Sequence, residues 1–347
     1  MTTTLGTLEE LPLDYRRNVE REHLAPLWPM LRNVLPHDAP KAVSGPCLWV
    51  YERIRPLLLQ AGELTPVEKA ERRVLVLVDP GRGPGAMQVT SVIYCGLQLL
   101  LPGEVAPAHR HTPSAARIVV EGRGAYTVVD GEKCPMERGD LILTPGGMWH
   151  DHGHDGREPV VWLDALDLPL FVYLEGSYAK ERELQKPKAR PDASEVEYTA
   201  GGMLPSRSPG APRPRYPLLR YPWQRTREAL LRAAEHASAE SPVELDYVNP
   251  ETGESCLPTL GFAAMALPAG KRLRSVKRSS SSVFHVVEGN GASTVDGMRF
   301  AWKSGDTFSA PVFANVDHEA GSADAFLIRI HDAPLQQKLN FYEEVSP

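Results

Sequence analysis

Two hydrophobic patterns follow one another along the chain. Between Asp14 and Leu35 the apolar residues recur at mixed three- and four-residue spacings, which is typical of a helix, and Leu48 to Ala61 and Pro66 to Arg73 indicate further helix or turn. From Val89 onward, short β-branched and aromatic runs alternate with Gly, Pro and Asp, which indicates antiparallel strands. The first strands predicted are Val89 to Leu101, Ala116 to Glu121, Ala125 to Val129, Asp140 to Leu143 and Val160 to Leu166.

A connector interrupts the strand pattern. Between Lys186 and Pro222 the chain is rich in Pro, Arg and Ser, with too little apolar content to fold alone. We predict an extended connector there, followed by one short helix over Thr226 to His236.

The strand pattern then repeats. Gly103 to Gly124 aligns without a gap onto Gly270 to Gly291, and both copies end in Val-Val-Glu-Gly-x-Gly. Each copy continues with a hairpin signal, Asp130-Gly131 in one and Asp296-Gly297 in the other, and then with Gly-Asp and Pro at matching places. The sequence therefore predicts two related β-barrels.

Composition and charge narrow the class of protein. The chain has 347 residues, about two domains on the usual length prior, and a formal net charge of -6, which argues against a nucleic-acid partner. Its one basic run, Lys271 to Arg278, is interpreted as a solvated strand edge. The four cysteines form no CxxC pair, which disfavours a zinc knuckle or a disulfide framework. No stretch resembles a signal peptide or a membrane span, so we expect a cytoplasmic protein with no membrane partner.

Three histidines carry the chemistry. His109 and His111 end the run Gly-Glu-Val-Ala-Pro-Ala-His-Arg-His, and His150 ends Gly-Asp-Leu-Ile-Leu-Thr-Pro-Gly-Gly-Met-Trp-His. A strand places alternate side chains on one face, so His109 and His111 point the same way, and a later strand can bring His150 against them. We predict a mononuclear metal site.

The second copy lacks this site. Val276, Arg278 and Val316 stand opposite the three histidines in the internal alignment, so we expect no metal there and a structural role in packing. His285 and His318 remain in that copy, and we expect them to be hydrogen-bonded structural residues.

The two motifs, of the types G-x5-H-x-H and G-x5-P-x-G-x2-H, together with the duplication, resemble the bicupin family. The resemblance implies a mainly β fold of two jelly-roll cupin barrels, with N-terminal helices and a helical or extended connector. Cupins commonly supply a fourth ligand, a glutamate, at the position that is Ala115 here. A neutral three-histidine site leaves half of an octahedral shell open, and we expect one Fe(II) per chain, although imidazoles also suit zinc, copper and nickel.

Four parts of the chain are predicted on this basis. They are an N-terminal helical segment packing on the barrels (1–85), a metal-binding cupin domain (86–180), a connector with a short helix (181–240) and a second cupin domain without a metal site (241–347).

A narrower resemblance rests on three segments. CLWVYERIRPLLLQAGELTPVEKAERRVLVLVDPG, YCGLQLLLPGEVAPAHRHTPSAARIVVEGRGAYTVVDGE and TPGGMWHDHGHDG are similar to gentisate 1,2-dioxygenase and its salicylate-cleaving relatives. The resemblance implies a cytoplasmic, homotetrameric, Fe(II)-dependent ring-cleaving dioxygenase of extradiol type. Such an enzyme uses both atoms of O2 to split the C1-C2 bond between the carboxyl- and hydroxyl-bearing carbons of gentisate, which gives maleylpyruvate.

A salicylate-type substrate presents a carboxylate that needs a counterion. Arg117 stands six residues after His111, on the same face of a regular ladder, and a guanidinium can fork onto a carboxylate. The family resemblance assigns an arginine here to the same task. The alternative is a rim ion pair between Arg117 and Glu104 or Glu121.

Further polar residues surround the predicted site. Tyr94 and Gln98 share a strand face and are candidates for orienting the substrate hydroxyl groups. His152 is the candidate for acid-base work, and His154 is interpreted as a turn residue. Asp164 lies in an apolar run and needs a partner, so it is expected to orient Arg117 or His152.

The family resemblance implies that an arginine just before the first barrel contacts the substrate. Arg72 and Arg73 both qualify, and Arg73 is favoured.

Other functions stay open. An oxalate decarboxylase or a sugar isomerase is disfavoured because both usually need a carboxylate ligand, whereas a non-catalytic metal- or ligand-binding bicupin remains an alternative. Salicylate, nitro- or halosalicylate and 1-hydroxy-2-naphthoate share the chelating edge of gentisate. The resemblance favours gentisate, and Tyr94 in place of a tryptophan points the same way.

Overall fold

A computed structural model describes residues 5–83, 85–188, 190–198, 201–208, 210–236 and 242–345. The chain forms two compact units, Met1–Val43 and Ser44–Pro347. Parts of the predicted connector, at 189, 199–200 and 209, lie outside the described residues. The division into four parts stays a prediction.

The first unit is helical. It contains α1 (Leu13–Arg21), a 3-10 turn (Trp28–Met30) and α2 (Leu31–Val34). The helical segment predicted over Asp14 to Leu35 is therefore present but interrupted: His23 adopts a positive φ of 54°, and prolines follow at 26 and 29. Proline lacks the N–H that a continuing helix requires.

The second unit begins with elements that flank the barrels. These are β1 (Leu48–Trp49), α3 (Tyr51–Leu64), α4 (Val67–Ala70) and β2 (Arg73–Val76). Helix α4 ends before Glu71, whose φ is 52°, and the chain then enters the sheet at Arg73 instead of continuing as the predicted helix or turn.

The first barrel contains eight consecutive strands. They are β3 (Tyr94–Leu100), β4 (Val105–His111), β5 (Ala115–Glu121), β6 (Ala125–Val129), β7 (Glu132–Pro135), β8 (Leu141–Thr144), β9 (His150–His154) and β10 (Val160–Leu166). Strand β3 starts later than the predicted Val89, because Val89 and Thr90 turn back to bond the carbonyl of Ile93.

Connecting elements lead to the second barrel. They are α5 (Leu168–Tyr173), β11 (Ala179–Arg182), α6 (Ala193–Glu197), β12 (Arg220–Tyr221) and α7 (Trp223–Ala234), the last starting three residues before the predicted Thr226. The second barrel follows as β13 (Val243–Asp246), β14 (Gly261–Leu267), β15 (Arg272–Arg274), β16 (Lys277–Arg278), β17 (Ser282–Glu288), β18 (Asn290–Val295), β19 (Met298–Lys303), β20 (Thr307–Ala310), β21 (Val316–Ala320), β22 (Ala325–His331), α8 (Ala333–Lys338) and β23 (Glu344–Val345).

Each barrel closes around two antiparallel sheets. The first has strand orders β12-β8-β5-β10-β3-β2 and β11-β4-β9-β6-β7, and the second β1-β20-β17-β22-β14-β13 and β15-β21-β18-β19, with β16 paired to β23. Both predicted Asp-Gly hairpins form, with positive φ at both residues: 43° and 85° at Asp130-Gly131, 45° and 85° at Asp296-Gly297. This is the backbone that a two-residue type I′ turn requires.

The barrels pack against each other through the outer faces of their six-stranded sheets. Leu97 and Leu163 of the first barrel belong to the same apolar cluster as Phe262 and Ile328 of the second. A separate cluster fills the first barrel around Trp162. No helix among the described residues is long and apolar enough to cross a membrane.

Candidate metal centre

The three histidines meet inside the first barrel. His109 and His111 lie on β4, and His150 on β9 faces His109 directly across the ladder. A bulge between Ala106 and His109 sets this register. One ring nitrogen from each histidine lies within 4.8 Å of the other two. The predicted convergence therefore occurs.

Each ring is held by a backbone carbonyl. Nδ1 of His109, His111 and His150 lies 3.1, 2.7 and 3.1 Å from the carbonyl oxygens of residues 107, 113 and 148, respectively. A carbonyl only accepts, so each Nδ1 carries the proton. Each Nε2 then has a free lone pair. This is the tautomer in which a histidine can bind a metal through Nε2.

Burial keeps these rings neutral. It lowers the pKa of His109 to about 2 and of His111 to about 4, and places the pKa of His150 well below its usual value, with the charges of neighbouring arginines acting in the same direction. Nε2 of His150 is buried and has no hydrogen-bond partner within the described part of the chain. A cation accepting three neutral imidazoles supplies the missing partner, so the donor set fits a transition metal.

A buried ion pair lies beside the histidines. Arg117 and Asp164 face each other across β5 and β10, and Nε of Arg117 lies 3.1 Å from Oδ1 of Asp164. Nη1 of Arg117 donates to the Thr144 hydroxyl at 2.8 Å, and the Trp162 indole donates to Asp164 at 3.0 Å. Asp164 therefore orients Arg117, and the alternative rim pair does not form.

His152 stands on the same face, next to the triad. Its ring centroid lies 5.7 Å from that of His150. Nδ1 lies 2.9 Å from the Thr127 hydroxyl, which itself donates to the sulfur of Met136 at 3.6 Å. The Thr127 hydroxyl and Nδ1 of His152 therefore share a hydrogen bond, and Nε2 of His152 is buried and has no hydrogen-bond partner among the described residues. His154 is the last residue of β9, which corrects its interpretation as a turn residue, and its Nε2 lies 2.6 Å from the carbonyl oxygen of Glu158.

Tyr94 and Gln98 lie along the same wall. Gln98 is buried opposite Trp162, and burial together with the charge of Asp164 raises the pKa of Tyr94. The Tyr94 hydroxyl lies over Gly96, where an added Cβ would come within 2.7 Å of it. Glycine at 96 thus makes room for the phenol.

Arg73 is directed away from this site, which corrects the preference for Arg73 over Arg72. Arg73 pairs with Glu104 and donates to the carbonyl of Gly62 at 3.2 Å. The charge of Arg72 lowers the pKa of His109. Burial lowers the pKa of Arg72 itself, and the charges of Glu71 and Asp164 act in the opposite direction.

Strand register explains the correction. Val74 and Val76 lie opposite Gln98 and Gly96, on the inner face of the barrel, whereas Arg73 lies opposite Leu99 on the outer face. Arg72 precedes the first residue of this strand.

Thr127 and Thr144 are the contacts that sequence reasoning missed. Each pairs with a predicted residue across a neighbouring strand: Thr127 lies opposite His152, and Thr144 lies beside Arg117. The hairpin signal at Asp130-Gly131 predicts only the pairing of β6 with β7. The contacts of the two threonines depend on pairings between strands that are distant in sequence, so only the folded structure identifies them.

In the second barrel, His285 and His318 are hydrogen-bonded as predicted. His285 lies 3.0 Å from the Thr307 hydroxyl, and His318 lies 2.8 and 3.1 Å from the hydroxyls of Ser293 and Ser275. The prediction of structural histidines is confirmed.

Comparison with known proteins agrees with this arrangement. A cupin domain model matches residues 96–166. A gentisate 1,2-dioxygenase of a Ralstonia species is 51% identical over 345 residues, which cover 99% of this chain and 97% of the relative. The chain belongs to the gentisate 1,2-dioxygenase family.

Other members of the family extend the agreement. Gentisate 1,2-dioxygenase 1 of Aquipseudomonas alcaligenes is 39% identical over 95% of each chain. Salicylate 1,2-dioxygenase of Pseudoaminobacter salicylatoxidans, solved with gentisate, superposes with a TM-score of 0.90 at 31% identity and covers 100% of this chain and 96% of its own. The predicted family and bicupin fold are confirmed.

Proposed function

We propose that this protein is an Fe(II)-dependent dioxygenase that splits the C1-C2 bond of gentisate with O2 and gives maleylpyruvate. The observation that carries the proposal is the placement of three neutral histidines beside a buried, pre-oriented arginine, Arg117. This arrangement suits a ligand that chelates a metal through its carboxylate and a neighbouring hydroxyl, and whose carboxylate also contacts the arginine.

The metal would be held by Nε2 of His109, His111 and His150. An Fe(II) ion bound there would supply redox chemistry with O2 and a point of chelation for the carboxylate and the ortho hydroxyl. The protein holds these three donors in fixed tautomers before the metal arrives, through the three carbonyl contacts.

Arg117 and Arg72 bind the substrate carboxylate. Asp164 and Thr144 hold the Arg117 guanidinium in place, so little conformational entropy is lost when the carboxylate binds. Arg72 adds a second cation from the inner edge of the barrel, with its Nε buried and without a partner among the described residues. Two cations around one carboxylate also favour substrates with that group over neutral phenols.

His152 accepts the phenolic proton at Nε2. This role requires the tautomer in which Nδ1 carries the proton and donates it to the Thr127 hydroxyl, 2.9 Å away, which leaves the lone pair of Nε2 available. Gln98 and Tyr94 orient the hydroxyl groups of the ring from the adjacent strand. The deep burial of His152 and Gln98 excludes bulk water from the reacting face.

The same chelating edge occurs in salicylates. The structural similarity to a salicylate 1,2-dioxygenase that was solved with gentisate makes salicylate the second candidate substrate. A homotetramer, which the family resemblance implies, is also proposed and is tested by sedimentation velocity.

An oxygen-electrode screen tests the function. Protein loaded with Fe(II) under anaerobic conditions is assayed with gentisate, salicylate, 5-nitrosalicylate and 1-hydroxy-2-naphthoate. Gentisate should give the highest kcat/KM, and His109→Ala should give no uptake with any of the four acids. Absence of uptake by the loaded native protein with all four would contradict the proposal.

A further inference from the structure

The second barrel has an arginine, Arg329 on β22, where the first barrel has an aspartate. Arg329 pairs with Phe284 on the neighbouring strand, just as Asp164 pairs with Arg117 in the first barrel, and Phe284 is the residue that the internal repeat aligns with Arg117. A cation therefore replaces an anion at the equivalent place.

Arg329 has unused hydrogen-bonding capacity. The residue is 4% exposed, and its Nη2 donates to Oε2 of Glu244 at 2.9 Å. Its Nε and Nη1 are buried and have no partner among the described residues. Two unpaired nitrogens on a buried guanidinium are costly unless an acceptor binds their N–H groups.

The carboxylate that serves Arg329 is shared with a second arginine. Nη2 of Arg278 lies 3.4 Å from the same Oε2 of Glu244. The Arg278 side chain is 15% exposed, so it is not the solvated edge residue that the sequence predicted. Nε of Arg278 also lies 3.3 Å from Oε1 of Glu344, so the charges of the two arginines are matched here and the unmet requirement is the hydrogen bonding of Arg329.

His331 stands two residues further along the same strand face. It is 8% exposed, and neither of its ring nitrogens has a hydrogen-bond partner among the described residues. The other barrel has an apolar residue, Leu166, at the corresponding place, because Leu166 also lies two residues after the residue that pairs with position 117. Burial and the charge of Arg329 keep the pKa of His331 well below its usual value, so the ring is neutral and offers one donor and one acceptor.

A cavity of about 430 Å³ opens beside His331. Its walls combine apolar surface from Val248 and Pro334 with the amide of Gln337 and the ammonium of Lys338. The remaining lining residues are Asp246, Gly253, Glu254 and Ser255. The volume accommodates a small organic molecule.

We infer that the second barrel binds a small organic monocarboxylate, with its carboxylate on Arg329 and His331 and its apolar part in this cavity. The acids Asp246 and Glu254 at the cavity wall repel additional negative charge, so a monoanion is preferred to sulfate, phosphate or a dicarboxylate. The inference does not depend on the reaction in the first barrel.

Calorimetric titration with benzoate tests this site. Benzoate lacks the ortho hydroxyl, so it cannot chelate through two oxygens, and its binding is measured without turnover. The native protein should bind one more benzoate per chain than His331→Leu, which introduces the residue of the first barrel, and than Arg329→Gln. In each variant, affinity at this site should fall at least tenfold.

Two controls keep the outcome clear. Arg272→Gln removes an exposed arginine of the same barrel and should bind benzoate like the native protein. Gentisate turnover in His331→Leu should stay within twofold of native. Equal benzoate stoichiometry and affinity in His331→Leu and native protein would overturn the inference, and so would displacement of this benzoate by equimolar sulfate.

Discussion

The assignment of Arg72 to the substrate predicts opposite effects for two adjacent arginines. Replacing Arg72 with glutamine removes a cation beside the histidines but leaves the buried Arg117-Asp164 pair intact. Replacing Arg73 with glutamine removes the partner of Glu104 on the outer face of the sheet. Both variants change a single charge by the same substitution, so each is the control of the other.

The magnitudes follow from the surroundings of each side chain. Losing one charge-assisted contact to a carboxylate costs about 1.5–3 kcal/mol, so Arg72→Gln should raise KM about 10- to 150-fold. The Arg73 side chain is 2% exposed and that of Glu104 is 17% exposed. Breaking a buried pair costs about 3–5 kcal/mol of folding stability, and the exposure of Glu104 places Arg73→Gln near or below the lower end of that range.

Initial rates of oxygen uptake over a range of gentisate concentrations separate KM from kcat, and urea denaturation gives the free energy of unfolding. Arg72→Gln should change KM and leave stability within about 1 kcal/mol. Arg73→Gln should lose stability with KM within twofold of native, and Arg73→Gln with Glu104→Gln should recover part of the loss. A large rise in KM for Arg73→Gln with none for Arg72→Gln would refute the assignment.

Three further outcomes are expected. Arg117→Met should raise KM for gentisate well beyond tenfold, because a charge-assisted pair is lost; an unchanged KM in the oxygen-uptake assay would remove Arg117 from the carboxylate role. Gly96→Ala should raise KM by displacing the Tyr94 hydroxyl, and a crystal structure of the variant with Tyr94 unmoved would contradict that reason. Unfolding free energy should fall as pH drops below about 6.5, because burial lowers the pKa of His285 to about 3 and of His318 to about 4, so only the unfolded chain takes up protons there. Each of these histidines should contribute about 1 kcal/mol of that loss between pH 6.5 and 5.5, and urea titrations of His318→Gln should show a correspondingly smaller loss than the native protein.

The metal ligands were predictable because their chemistry is local in sequence. His109 and His111 share a strand face at a spacing of two, and the glycine-punctuated repeat identifies the strand that brings His150 to them. The internal duplication also indicates which barrel lacks the ligands, since valine cannot coordinate a metal at positions 276 and 316.

The choice between Arg72 and Arg73 depended on information that the sequence does not contain. Both lie in a segment that resembles helix or turn, and the strand begins only where Glu71 reverses the backbone. Whether a side chain points into the barrel is then decided by the pairing of Val74 with Gln98. A slip of one residue in that register would exchange the two arginines.

Pairings between distant strands were likewise invisible. Thr127 supports His152, and Thr144 supports Arg117, across strand ladders that only the folded sheet defines. The contact of Arg278 with Glu244 was unpredictable for the same reason. The basic run that contains Arg278 predicts a solvated strand edge, whereas strand β13 places Glu244 beside the Arg278 guanidinium.

The central claim is that one metal ion, held by His109, His111 and His150, carries out the reaction. Gentisate-dependent oxygen uptake measured while metal-free protein is titrated anaerobically with Fe(II) tests it most directly. Activity should rise linearly to one equivalent of iron per chain and then remain constant, and His150→Ala should stay inactive throughout. A plateau at two equivalents, or a native-like titration curve for His150→Ala, would contradict the account.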